Sequence, residues 1–280
     1  MNILIVGGNG NLGIGCDNAL RSLGIRTVIW DIPRDLFDLT SDDLLENSID
    51  LLVNFSVLVD QKSSEIRLDS DDFRVNVLGL SHLLKISRNV NIPLIQISTR
   101  EVIGTRDFRI AGAMSNSTLR AVDEREPCLP KTSYGKTKLI SEWVLSKDTD
   151  SAVIRLNTCY TNEWRGGKGL IGALVKKSRA DGEVTLDNMG QAIRDPLHID
   201  DLTQLILSVY EKRFYGKIIH AGGGNQNIYS LRDICTLANP MVKINPGIVN
   251  DDYGFFMDIS LAQSLGWNPK VSFSNWINSH

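Results

Sequence analysis

The sequence is poor in the residues that staple small folds or hold metals. Its 280 residues include only four cysteines, Cys16, Cys128, Cys159 and Cys235, all far apart and none in a C-x-x-C pair. No metal is expected from that spacing, and a disulfide framework has no place in a chain of this size. No apolar run approaches the roughly 20 residues that cross a bilayer. The opening "MNILIVGGNG" lacks the basic start and small-residue cleavage site of a secretory signal. Formal net charge is −3, without a basic block, so neither nucleic acid nor an anionic membrane is expected as a partner. The expectation is a soluble, reduced, cytoplasmic protein.

What the chain does hold is a regular alternation. The 42% hydrophobic content falls in short clusters: "NILIV", "RTVIWDI", "DLLVNF", "PLIQIS" and "AVIRL" read as strands buried on both faces. Between them lie helical stretches at about 12–23, in "SDDLLENS", in "FRVNVLGLSHLLKISRNV" and at 133–147. This rhythm predicts an α/β fold, a doubly wound parallel sheet of Rossmann-like type. After about Tyr160 the rhythm loosens into a smaller C-terminal α/β lobe, giving a sheet domain over 1–160 and a lobe over 161–280. Segments near 191–222 are expected to return to the sheet.

"VGGNGNLG" joins the first strand to the first helix and reads as G-x-x-G-x-x-G through Gly7, Gly10 and Gly13, or as G-x-G-x-x-G from Gly8. Either pattern lets backbone and helix N-terminus approach a pyrophosphate. Asp31 ends the second strand, where a carboxylate accepts from both ribose hydroxyls of an adenosine and repels a 2′-phosphate. NAD is therefore favoured over NADP, with Arg34 nearby as the feature that speaks for NADP. The alternative is a glycine turn followed by an unrelated aspartate.

"SYGKTKLISE" sets Tyr134 and Lys138 about 40° apart on one helix face. Leu139, Ile140, Trp143 and Val144 are expected on roughly the opposite side, packed on the sheet. An ammonium beside a phenol favours phenolate, and such a tyrosine exchanges a proton with a sugar hydroxyl near neutral pH. "LIQISTREVIG" ends the fourth strand with Ser98 and Thr99, at the edge where doubly wound sheets bind ligands. A solvated tyrosine–lysine face and a strand-end cap are the structural alternatives.

Taken together, these motifs resemble the extended short-chain dehydrogenase/reductases, in the NAD-dependent epimerase/dehydratase family acting on nucleotide sugars. The likeness runs nearly end to end, through the glycine turn, "FDLT", "VNFS", "NVLG", "STREVIG", "SYGKTKLISE", "RDPLHIDDL", "HAGGGNQNIYSLRDI" and "LGWNPK". It implies that Gly7, Gly10, Asn11, Leu12, Gly13, Asp31, Asp38, Leu39, Phe55, Ser56, Asn76 and Ser98 line the NAD site together with Tyr134 and Lys138. Tyr134 would be the acid/base, Lys138 would hold the nicotinamide ribose, and Thr99 would bond the reacting sugar oxygen. Arg194 would pair with the substrate diphosphate, an ion pair with Asp195 or Asp200 being its alternative. Substrate contacts are also assigned to Arg100, Asn157 and Thr158, although "RLNTCYT" departs from the family's asparagine spacing. A second diphosphate arginine near the C-terminus is replaced by "NDDYGFF".

Glu101 stands where relatives carry a glutamate that handles a second proton, but Arg100 inverts the charge of the dehydratases' aspartate. Pairing of Glu101 with Arg100 is the alternative reading. The resemblance implies oxidation of a ring hydroxyl, at C4, with epimerisation as the leading reaction and dehydration, decarboxylation or 4-ketoreduction behind it. A catalytically silent NAD(P)-sensing scaffold is the reading from another class. Relatives pair as homodimers through helices corresponding to 71–90 and 133–147, so a homodimer is expected.

Overall fold

Short aliphatic runs become strands here because helices cover them on both sides. The computed structural model describes residues 1–60, 63–105, 108 and 120–280. The "GAMSNST" stretch lies outside the described residues. Five strands follow one another as β1 (Asn2–Val6), β2 (Arg26–Trp30), β3 (Leu51–Asn54), β4 (Leu94–Thr99) and β5 (Ser151–Leu156). They pair in the order β5-β4-β3-β1-β2, with the strand Lys217–Ala221 beside β5. All four pairings among β1–β5 are parallel. Every residue of β3, β4 and β5 is buried, which explains why those runs are nearly continuous in apolar residues.

Two compact units make up the chain. The first comprises Met1–Gly104, Pro127–Leu156 and Thr203–Ile219 and contains β1–β5. Its core joins Leu4, Val6, Leu52 and Leu94 of the sheet to Leu80, Leu83 and Leu84 of the helix Leu80–Asn89. The helix α1 (Asn11–Ser22) starts directly from the glycine turn. α2 (Ser41–Glu46) is closed by a reciprocal capping box between Thr40 and Asp43. Where the sequence pattern predicts one helix across 73–90, residues Arg74–Gly79 instead form a π-helical turn. Such turns insert one residue and redirect a side chain, here Asn76.

The second unit comprises Thr105–Glu126, as far as described, Asn157–Leu202 and His220–His280. It is built from three two-stranded pieces and the helices Gly169–Ala180, Leu231–Ala238 and Phe273–Ser279. Its core is aromatic: the Tyr160 ring packs edge-on against Phe273 and Trp276, at 5.3 and 4.6 Å between centroids. Among the described residues no helix is long and apolar enough to cross a membrane, and no cluster of three metal-ligating side chains occurs.

The contact between α1 and β1 gives a direct test. A Cβ at Gly13 would lie 2.4 Å from the Gly7 carbonyl oxygen and 2.7 Å from the Gly8 Cα, both rigid backbone. Gly13→Ala is expected to lower unfolding stability by about 2–3 kcal/mol, the scale of overpacking in a filled core, read from the urea midpoint. An unchanged midpoint would show that α1 has room to move off β1.

Candidate active site

Sheet order reverses at β1: β2 lies on one side and β3 on the other, so a crevice opens at their carboxyl ends. Three features of the sequence shape it. Gly7 has φ +78°, and a Cβ there would meet the Ser56 backbone nitrogen at 2.5 Å; only glycine lets the end of β1 pass the end of β3 this closely. Beyond β3, the Asn54 side-chain oxygen accepts from both the backbone N–H (2.9 Å) and the hydroxyl (2.6 Å) of Ser56, while its amide donates to Gln96 of β4 at 2.7 Å. This hook fixes the turn of the chain directly after β3. Finally, α1 begins at Asn11 and Leu12 behind Gly10, which brings no side chain to cap the first turn. Backbone N–H groups at such an end suit an anion.

Around the crevice stand the other residues that the sequence assigned to a dinucleotide. Both Asp31 carboxylate oxygens accept from backbone N–H groups, Oδ2 from Asn9 at 2.7 Å and Oδ1 from Ile32 at 2.7 Å. The glycine loop and the end of β2 are therefore tied together by the residue expected to read the ribose. Arg34 stacks over the Trp30 ring at 4.2 Å. Asp38 ends a single 3-10 turn. The adjoining Leu39 is buried, with its carbonyl 2.8 Å from His82 Nε2. The Phe55 N–H donates to Val6 at 2.8 Å. Asn76, aimed by the π turn, clamps Leu58 from both sides (3.0 and 2.9 Å) and donates to the Thr137 hydroxyl at 3.0 Å.

At the carboxyl end of β4, three consecutive residues meet the helix Ser133–Leu145. Lys138 Nζ donates to the Ile97 carbonyl at 2.7 Å, Ser98 donates to Glu142 at 2.6 Å, and Thr99 lies near enough to the Tyr134 phenol to favour its ionised form. The helix starts against this strand because Thr132 caps the Gly135 N–H at 3.0 Å, and the Ser63 and Asp60 carbonyls take the N–H groups of Ser133 and Tyr134 at 2.8 and 3.1 Å. Gly135 is required for the approach, since a Cβ there would lie 2.5 Å from the Glu101 carbonyl oxygen. Sequence reasoning missed both Gly135 and Glu142. The latter stands one helical turn beyond Lys138, a spacing that signals interacting side chains.

Two sequence expectations are corrected by this geometry. Lys138 does not project away from the packed face: it is wholly buried and Leu139 is buried, whereas Tyr134 is half-buried and Trp143, expected to pack on the sheet, is 64% exposed. The Lys138 ammonium, turned to the Ile97 carbonyl, does not set the tyrosine's acidity. Burial pushes the Tyr134 phenol up to about 12, against the lowering effect of Thr99 and with a further push from the Glu101 carboxylate. Burial likewise brings Lys138 down to about 8, opposed by the Glu142 carboxylate. The site thus holds a neutral phenol, a proton donor.

Glu101 and Arg100 lie side by side in the 3-10 turn after Thr99, with Arg100 Nη1 3.6 Å from Glu101 Oε1 and the guanidinium buried. In the second unit, Arg194 is buried, pairs with Asp252 at 3.8 Å and bonds the Ile193 carbonyl at 2.7 Å. Asn157 gives its amide to Asp195 and, at 2.7 Å, to the Phe255 carbonyl. Thr158 is buried beside it, with its hydroxyl 3.5 Å from the Asn157 oxygen. The structure therefore gathers Thr99, Glu101, Tyr134 and Lys138 in the first unit and Asn157, Thr158 and Arg194 in the second.

Comparison with known proteins extends this picture. The sequence profile of the RmlD substrate binding domain matches residues 1–234. A dTDP-4-dehydrorhamnose reductase of Mycolicibacterium smegmatis is 27% identical over 188 residues, 66% of this chain and 53% of that protein. Among solved structures, the dTDP-glucose 4,6-dehydratase of Bacillus anthracis in complex with NAD shares the fold at a TM-score of 0.82 and 19% identity, covering 100% of this chain and 94% of that one. The UDP-glucose 4-epimerase of Brucella ovis in complex with NAD does so at 0.79 and 20%, covering 99% and 95%. With the profile spanning most of the sequence and the glycine turn, Thr99, Tyr134 and Lys138 in one unit, the chain belongs to the RmlD substrate binding domain family of extended short-chain dehydrogenase/reductases, the NAD-dependent epimerase/dehydratase group.

Proposed function

We propose that this protein is an NAD-dependent enzyme that moves a hydride and a proton at a single ring carbon of a nucleotide sugar, C4, with 4-epimerisation as its net reaction. The observation that carries this reading is the meeting of Thr99, Tyr134 and Lys138 at the carboxyl end of β4, beside the crevice at the sheet's switch point. A binding-only scaffold has no use for a phenol set beside a threonine and followed one turn later by a buried lysine.

The residues fit a dinucleotide. Gly7 and Gly13 keep side chains out of the turn, the N-terminus of α1 faces a pyrophosphate, and Asp31, Asp38 and Leu39 stand where an adenosine would lie. Bound there, NAD supplies the hydride acceptor and donor. Lys138 holds the nicotinamide ribose and Thr99 orients the sugar oxygen. For the oxidation Tyr134 must first be ionised, which the positive charge of a bound oxidised nicotinamide would favour; the phenolate then takes the hydroxyl proton and returns it when the ketone is reduced from its other face. Arg194 is the residue suited to the substrate's diphosphate, a task for a guanidinium fork.

The pairing of Glu101 with Arg100 favours chemistry with one proton relay over dehydration or decarboxylation, which need a second acid/base beside the sugar. Reduction of a 4-keto sugar is the second reading. It is favoured by the phenol's pKa of about 12, which keeps Tyr134 protonated as an acid, and by the family whose profile matches. An epimerase returns its coenzyme unchanged, whereas a ketoreductase consumes one reduced coenzyme per product.

Two predictions follow from these assignments. Tyr134→Phe is expected to cut turnover of a nucleotide sugar by about 10²–10⁴-fold, the range for loss of a general acid/base, while NADH binding followed by fluorescence is retained. Equal turnover in both proteins, or none in the wild type with any UDP- or dTDP-sugar, removes the enzymatic reading. The exposed Trp143 and Leu78, 64% and 45% accessible on the helical stretches expected to form a dimer face, support a homodimer. Trp143→Glu is expected to elute as a monomer in light-scattering chromatography where the wild type elutes as a dimer; a wild-type monomer contradicts it.

A further inference from the structure

Directly behind the Tyr134–Lys138 pair lies an ion pair sealed from solvent. The side chains of Glu142 and Arg155 are 1% and 3% accessible. Arg155 of β5 grips Glu142 with a two-pronged contact, Nε to Oε1 at 3.0 Å and Nη2 to Oε2 at 2.7 Å. Ser98 donates to Glu142 at 2.6 Å, and Arg155 Nη2 also reaches the Cys128 sulfur at 3.2 Å. Stability alone gives little reason for such charges, because well-packed apolar side chains of similar volume often serve a buried position as well or better. Position gives a reason. Ile97, Ser98 and Thr99 meet Lys138, Glu142 and Tyr134 in turn, and Glu142 is the member of that set clamped from both sides, by the strand bearing Thr99 and by the next strand.

We propose that Glu142, locked by Arg155 and Ser98, is a positioning residue that fixes the Tyr134–Lys138 helix in register on β4 and keeps the buried Lys138 charged. The second half of the proposal rests on the functional reading only in giving Lys138 its task. Its physical basis is the carboxylate one turn away from an ammonium whose own hydrogen bond is to a backbone carbonyl. The other titratable groups on the elements packed around this helix are engaged elsewhere. Arg74, His82 and Arg88 turn to Asp35, Leu39 and Asp148, Asp72 holds Ser133, and Glu101 pairs with Arg100. Lys85 is exposed. Cys128 turns to Arg155, and the Tyr134 phenol, pushed up to about 12, lends no charge to hold an ammonium.

The sign of the effect follows. A negative neighbour favours the protonated lysine, so removing it lets Lys138 lose its proton at lower pH. The full-length protein is titrated with lysine labelled at the ε-carbon and followed by NMR, the Lys138 signal being the one missing in Lys138→Arg; no sugar is needed. In Glu142→Gln the Lys138 midpoint is expected to fall by about one pH unit, the lower end of the range for a close opposite charge. That variant leaves Arg155 buried without its carboxylate and is at risk of misfolding. The apolar pair Glu142→Leu with Arg155→Met, expected to melt near the wild-type temperature, carries the test in its place and shows the same downward shift. Glu142→Asp, which keeps the charge, restores the midpoint. A wild-type midpoint in the folded apolar pair overturns the proposal and leaves Glu142–Arg155 as packing. Turnover assayed in parallel separates the two claims. An inactive wild type with a shifted midpoint in the variants refutes the enzymatic reading and keeps the positioning role.

Discussion

The arrangement on which this protein depends is the seam between the end of β4 and the helix Ser133–Leu145. Two adjacent strand residues, Ile97 and Ser98, bond the helix residues Lys138 and Glu142, and the next, Thr99, lies beside Tyr134. The first two contacts join an ammonium to a backbone carbonyl and a hydroxyl to a carboxyl group, in buried surroundings where such contacts strengthen and where a missing partner is costly. A slip of one residue along either element would leave a buried ammonium and a buried carboxylate facing the wrong groups. The seam thus permits one register, and that register sets the phenol beside Thr99.

The crevice beside the seam depends on a different constraint, close approach of backbone to backbone. Gly7 against Ser56, Gly13 against Gly7 and Gly135 against Glu101 each leave too little room for a Cβ. These are the places where β1, α1, β3 and the 133–145 helix converge, and the Asn54 hook fixes the turn after β3.

Much of this was legible in the sequence, for identifiable reasons. Strands buried on both faces appear as unbroken aliphatic runs, and a glycine turn between strand and helix has few other uses, so the sheet, α1 and Asp31 could be read directly. Tyr134, Lys138 and Thr99 were found from helix spacing and strand-end position. What escaped was anything decided by long-range packing. The helical wheel put Trp143 in the core and Lys138 in the open, yet Lys138 is buried because polar partners on β4 and on its own helix compensate its desolvation. The phenol's acidity was misjudged for a related reason: distance in sequence suggested an ammonium neighbour, whereas burial dominates. Arg194 meets Asp252, nearly sixty positions away, a partner that sequence could not indicate. The π turn at 74–79 carries the same apolar spacing as the helix it interrupts, so periodicity alone could not reveal it.

The central claim, that Tyr134 and Thr99 govern hydride movement at one carbon of a sugar, is most directly tested with a nucleotide sugar deuterated at C4. In a single turnover with NAD bound, the absorbance of reduced nicotinamide is predicted to appear and to rise several-fold more slowly for the deuterated sugar than for the unlabelled one. Identical rates with the two sugars, or no reduced nicotinamide from either, would contradict it.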